Sequence, residues 1–212
     1  MSHTIAMIGV GQVGANLGRR LAHHDYDVIF GVRQGKNVDE LLASCDGNAK
    51  ALPIHDAIAQ ADLVFLAVPS SAAVAALEDA SLDGKIIVDC TNPLTWNEGP
   101  VWAPPAEGSI TAALAEAYPG ARHVKAFNTF GAELHRDPSL AHGHACDLHM
   151  ASDDAAAKET IANLGKALGF EPVDAGPLRN ASVLENLAML WIHLAMQGGY
   201  GREFAFKHVG RP

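Results

Sequence analysis

Gly9-Val10-Gly11-Gln12-Val13-Gly14 sits at the end of an apolar run, Thr4–Val10, and opens a stretch with helical periodicity. In that context a GxGxxG turn is a phosphate cradle. Gly9 permits the tight turn, Gly11 lets backbone approach a pyrophosphate, and Gly14 lets the helix lie close to the strand. The helix N-terminus adds unpaired N–H groups and the positive end of its dipole. The second strand then selects the dinucleotide. NAD calls for a carboxylate about 20 residues past the glycines, to hold the ribose hydroxyls. The segment from Val28 to Val38, VIFGVRQGKNV, has none and carries Arg33 and Lys36 instead. Cations there attract a 2′-phosphate, so the expected cofactor is NADP(H).

Other groups offer less. His142, His144, Cys146 and His149 cluster in LAHGHACDLHM, and the first three share a face if the segment is extended. Their spacing matches no structural zinc pattern, so no metal is expected. No Ser-His-Asp arrangement or pair of carboxylates presents itself. Trp96 and Trp102 lie in Asn92–Gly108, rich in Pro and Gly and read as a structureless loop. They either stack on a planar substrate ring or pack the loop onto the domain.

Short apolar runs position these groups. Thr4–Val10, Asp27–Val32, Leu63–Val68, Lys85–Cys90 and His123–Phe127 read as parallel strands covered on both faces. Helices are expected near Val13–Ala22, Val38–Ala43, Ala57–Gln60, Ser71–Asp79 and Ser109–Tyr118. Strands Asp147–Ala151 and Glu171–Asp174 follow, flanking a helix from Asp154 to Leu168 with Ser152 and Asp153 accepting from its free amides. The last helix, Asn180–Gln197, has apolar residues on more than one stripe. It either packs one face on the domain and another on a second copy, or lies fully buried in a monomer. The fold expected is α/β: a Rossmann-type, doubly wound, mostly parallel sheet with a C-terminal helical segment. Residues 1–178 form the dinucleotide-binding domain, and 179–212 a helix and tail packed on it.

Composition narrows the class. The 212 residues are 49% hydrophobic and carry a net charge of −9, with no basic stripe for nucleic acid. No apolar stretch is long enough to cross a bilayer and the start lacks a signal-peptide pattern. Three widely spaced cysteines, Cys45, Cys90 and Cys146, suit reduced thiols in the cytoplasm.

Six motifs together carry a resemblance: GVGQVG (9–14), FGVRQGK (30–36), DLVFLAVP (62–69), VDCTNP (88–93), VKAFNT (124–129) and DAGPLRNASVLENLAMLWIHLA (174–195). With them the chain resembles the NADP oxidoreductases dependent on coenzyme F420, and the related reductase domain of the STEAP metalloreductases. The resemblance implies that the glycine turn holds pyrophosphate while Arg33 and Lys36 face the 2′-phosphate. It implies that Ala67, Val68, Pro69 and Ser70 border the cofactor. Asn92, Pro93, Asn128 and Thr129 would line the nicotinamide pocket. Val32 replaces a family Ser or Thr, and Asn128 stands in a stretch where archaeal members have His-Thr. The activity implied is hydride transfer between NADP(H) and coenzyme F420, FMN or FAD, a reaction that needs little from protein side chains. Asn128 and Thr129 are the choice for orienting the acceptor, with closure of the strand end as their other role. Lys125, inside a strand, is placed away from the site. The alternative function is a non-catalytic NADP(H) sensor. The partners expected are a small-molecule acceptor and a second copy in a homodimer.

Overall fold

A computed structural model describes residues 3–210, so the outermost residues of both expected segments lie outside the described residues. Six strands form one parallel sheet: β1 (Thr4–Ile8), β2 (Asp27–Val32), β3 (Ala49–Pro53), β4 (Leu63–Leu66), β5 (Ile86–Asp89) and, after a hairpin, β8 (Arg122–Lys125). Their order is β3-β2-β1-β4-β5-β8. Reversal of strand order beside β1 opens a crevice at the carboxyl ends, where ligands bind in such sheets.

The continuous apolar reading of these strands has a two-sided cause. Ile5 and Met7 of β1, Leu63 and Phe65 of β4, and Ile86 and Val88 of β5 enter one core. Ala6, Ile8, Val64, Leu66 and Ile87, the alternate residues, enter the other. Helix α1 (Gln12–His23) covers the first core through Leu17 and Leu21. Helices α2 (Asp39–Ala43) and α3 (Ile54–Ala59) flank the β2–β3 edge. On the second core, α3 contributes Ala57 and Ile58, and α4 (Ile110–Ala117) contributes Ile110 and Leu114.

The chain from Asn92 to Gly108 corrects the expectation of a structureless loop. Two short strands, β6 (Leu94–Trp96) and β7 (Pro100–Trp102), pair antiparallel. So small a hairpin is marginal alone. Here Gln197 Nε2 donates to the Glu98 carbonyl at its tip (2.5 Å), so tertiary contact supplies what local sequence does not. Trp96 and Trp102 are 56% and 37% exposed, so neither is sealed into the domain.

Four other expectations change. Strand β3, AKALP, is not among the expected strands because it is short, interrupted by Lys50 and ends in proline. Ser71–Asp79 is two 3₁₀ turns, Ser70–Ala72 and Ala75–Leu77, because its bonds run from Ala73 N to Ser70 O and from Leu77 N to Val74 O. Helix α3 starts at Ile54 rather than Ala57. Helix α5 (Ala132–Arg136), also unforeseen, packs on α1, with Asn16 Nδ2 donating to the Ala132 carbonyl (2.8 Å).

Beyond α5, β9 (Asp147–Met150), α6 (Ala155–Ala167) and β10 (Glu171–Asp174) form a parallel two-stranded annex. It joins the main sheet at one antiparallel bridge, Lys125 to Ala151. The last helix, α7 (Ala181–Met196), buries Leu184, Glu185, Ala188 and Trp191 on one face. Its opposite stripe keeps Val183 (61%) and Leu190 (49%) exposed, which excludes full burial within one chain.

The α6 cap also departs from expectation. Asp154 is the cap, accepting from Ala157 N (2.8 Å), while Asp153 accepts instead from Leu178 N (3.0 Å). Arg122 grips Asp154 in a two-pronged pair at 2.6 and 2.9 Å. That hydrogen bonding, with the cap, holds the carboxyl well below the usual carboxylate range. A carboxylate with a lowered native pKa contributes stability above its ordinary value, and loses it as pH falls toward the native one. The melting temperature therefore falls on acidification below about pH 4. Asp154→Asn, which can still cap, has a shallower acid limb. Parallel limbs in a pH series of melting curves would contradict this.

Candidate functional site

The glycine turn is built as its spacing demands. Gly9 has φ +110°, and a Cβ there would lie 2.4 Å from the Ala67 carbonyl oxygen, so only glycine fits. A Cβ on Gly14 would meet the Gly9 carbonyl oxygen at 2.0 Å, which lets α1 lie close on the turn. Gly11 caps α1 with extended backbone, and open space surrounds the point where its Cβ would be. The first N–H groups of α1 have no earlier turn of helix to bond. Gln12 and Val13 are the helix's first two residues, at the carboxyl edge of the sheet.

A cavity of about 440 Å³ opens beside this turn, joining Gly9 and Val10 to Arg33, Lys36, Val68 and Pro69. Arg33 and Lys36 are the ends of one turn, Lys36 N donating to Arg33 O (3.1 Å), with Gly35 at φ +78°. Both side chains are exposed and reach the same cavity. His55 adds a third basic residue type, and none of the lining residues is acidic. Sequence reasoning missed His55 because it follows the unrecognised strand β3. Ala67 supports the glycines from below, and Ser70 starts the next 3₁₀ turn.

The second half of the expected site lies along the same edge, beyond β5 and β8. Asn92 Nδ2 donates to the Asn128 carbonyl (2.9 Å), and Asn128 Nδ2 donates to Asn92 Oδ1 (2.9 Å). Asn128 Oδ1 is left buried without a partner, an acceptor in a place where such atoms are ordinarily satisfied. Pro93 is buried. Thr129 is 4% exposed, its hydroxyl 3.5 Å from His149 Nδ1. Asn92 and Asn128 are thus brought together, whereas Thr129 turns toward the annex. The histidine segment is not extended: Ala141–Gly143 is a 3₁₀ turn with His142 at φ +60°. Among the described residues no group of three metal-ligating side chains converges.

Beneath the asparagine pair is a charge cluster that the sequence reading passed over. Lys125, Asp89 and Glu185 are all 0% exposed. Lys125 Nζ donates to Asp89 Oδ2 (2.9 Å), Thr91 O (2.5 Å) and Glu185 Oε1 (3.1 Å). Asp89 also accepts from Thr91 N (2.8 Å) and Thr111 Oγ1 (2.7 Å). Burial pushes the Glu185 carboxyl above its usual range, against the pull of Lys125. A signal was available: VDC and VKA each place one charge in an otherwise apolar strand, and Asp89 and Lys125 are register partners. Cys90, next to Asp89, has its thiol pushed far up by burial and is no nucleophile.

Fold and glycine turn define a Rossmann-type dinucleotide-binding protein. The family model described as NADP oxidoreductase, coenzyme F420-dependent matches residues 4–93. A putative F420-dependent NADP-reductase from Arthrobacter sp. FB24, of known structure, is 31% identical; the match covers 99% of this chain and all of that one, with a TM-score of 0.88. The F420-dependent NADP reductase of Methanothermobacter marburgensis is 28% identical over 88% of this chain and 89% of its own length. Mouse metalloreductase STEAP2 is 28% identical over 88% of this chain, but the match spans only 36% of the longer protein. The chain belongs to the family of coenzyme F420-dependent NADP oxidoreductases.

Proposed function

We propose that the protein is an NADPH-dependent oxidoreductase that moves a hydride between NADP(H) and a flavin-like acceptor, coenzyme F420 or a flavin. The observation that carries this is the cavity in which the glycine turn meets Arg33 and Lys36 with no carboxylate among the lining residues. Such a lining suits a dianionic 2′-phosphate and gives no acid to hold a bare ribose.

In this reading Gly9 to Gly14 receive the pyrophosphate, and Arg33 and Lys36 the 2′-phosphate. Val68 and Pro69 wall the cofactor, with Ala67 and Ser70 flanking them. The nicotinamide, when bound, supplies the hydride. Asn92 and Asn128, interlocked with each other and with Pro93 beside them, orient the rings. These residues need not ionise, because hydride transfer requires close stacking and exclusion of water rather than acid–base groups.

Buried, unpaired thiols favour a cytoplasmic setting. The α7 stripe of exposed Val183 and Leu190, with half-buried Leu187 and Leu194 beside them, supports a homodimer.

The test is NADPH oxidation, followed in the nicotinamide absorbance band, with coenzyme F420, FMN, FAD and riboflavin offered separately. Turnover with at least one acceptor, and a preference for NADPH over NADH, is expected. NADPH binding without oxidation by any of them would replace the enzyme with a binding module.

A further inference from the structure

Resting on the reading that Asn92 and Asn128 face the nicotinamide, we propose that Glu185 is a positioning residue. From α7 it fixes Lys125, and through Lys125 the backbone that delivers Asn92. An ammonium group has three hydrogens, and all three are committed: to Asp89, to the Thr91 carbonyl and to Glu185. The Thr91 N–H is committed to Asp89 Oδ1. Both backbone groups of the residue entering Asn92 are therefore tied to the cluster, and Asn92 is in turn interlocked with Asn128. Glu185 Oε1 also accepts from Ile110 N (2.9 Å), so the same oxygen anchors the start of α4.

Stability alone is a weak reason for this arrangement. Two carboxylates share one cation in a site with no exposure, and Glu185 Oε2 has no partner. Well-packed apolar side chains are often as stable as such a cluster or more so. What they cannot supply is a directional hold on one carbonyl. Hydride transfer is sensitive to such a hold, since a misplacement of about 1 Å can cost about 100-fold in rate.

Glu185→Leu and Glu185→Gln separate the two roles, assayed as kcat and KM for NADPH with coenzyme F420 and with FMN well below the melting temperature. Leucine fills the volume and removes the bond to Lys125. Glutamine keeps an oxygen for both Lys125 and Ile110. Folded E185L is expected to lose at least about tenfold in kcat with its NADPH KM within about threefold, and E185Q to recover most of that loss. If E185L does not fold, Glu185→Asp, one methylene short of Lys125, makes the same comparison. Wild-type kcat in E185L (or in E185D, where that stands in), or equal losses in it and E185Q, would overturn the positioning role alone. A wild type inert with these two acceptors and with FAD and riboflavin overturns the hydride-transfer reading, and this role with it.

Discussion

Lys125→Met lowers the stability of the fold by about 3–5 kcal/mol, the usual cost of removing one partner from a buried ionic cluster. Methionine nearly matches the lysine stem in volume, so the loss is electrostatic rather than a cavity. It leaves Asp89 and Glu185, both without exposure, with no cation between them, and leaves the Thr91 carbonyl without its donor. For a chain of 212 residues, at about 2–4 °C per kcal/mol, the melting temperature falls by about 10 °C. Adding Glu185→Gln to Lys125→Met removes one of the stranded charges and recovers part of the loss, which distinguishes charge imbalance from general damage. A single variant melting within about 2 °C of wild type would show that the cluster is not energetically coupled.

Replacing both Arg33 and Lys36 with alanine raises the NADPH dissociation constant by about 100-fold and leaves that of NADH within about threefold. Each charge-assisted contact to the 2′-phosphate contributes about 1.5–3 kcal/mol where it forms, and about 1.4 kcal/mol is a factor of ten. The two residues close one turn around Gly35, so on the proposed reading they act on one phosphate together and the single variants should not simply add. Arg33→Lys should cost more than a charge-conserving change suggests, since a guanidinium can hold phosphate with two parallel bonds. Titration of nicotinamide fluorescence with both cofactors measures this. Equal losses for NADPH and NADH would place Arg33 and Lys36 away from the 2′-phosphate.

Much of this site is readable from local sequence because its parts are local. The glycine turn needs six consecutive residues, and Arg33 and Lys36 occupy one turn at the end of β2. The central parallel strands announce themselves because both faces are buried and most of their positions are apolar. The hidden parts are those assembled across the chain. Lys125 meets residues 36 and 60 positions away, and no local pattern pairs a lysine in a strand with a glutamate on the last helix. His55 was obscured for a different reason. Strand β3 is an edge strand with Ala49, Lys50 and Pro53 in five residues, so it has neither apolar continuity nor clean alternation. Hairpin β6–β7 lacks a local signal because its strands are three residues each, and a glutamine from another element braces its tip.

The same modest strand has a bearing on solubility. An open sheet offers unpaired backbone groups at its margins, and a long apolar margin invites further chains to add on. At β3, Lys50 projects an exposed ammonium that is tethered to Gln60 Oε1 at 2.8 Å, and Pro53 has no amide hydrogen to donate. At the opposite margin, the bridge between Lys125 and Ala151 occupies the end of β8. Lateral growth into aggregates is thereby discouraged on both sides, and encounters between copies are steered toward side-chain surfaces instead of backbone.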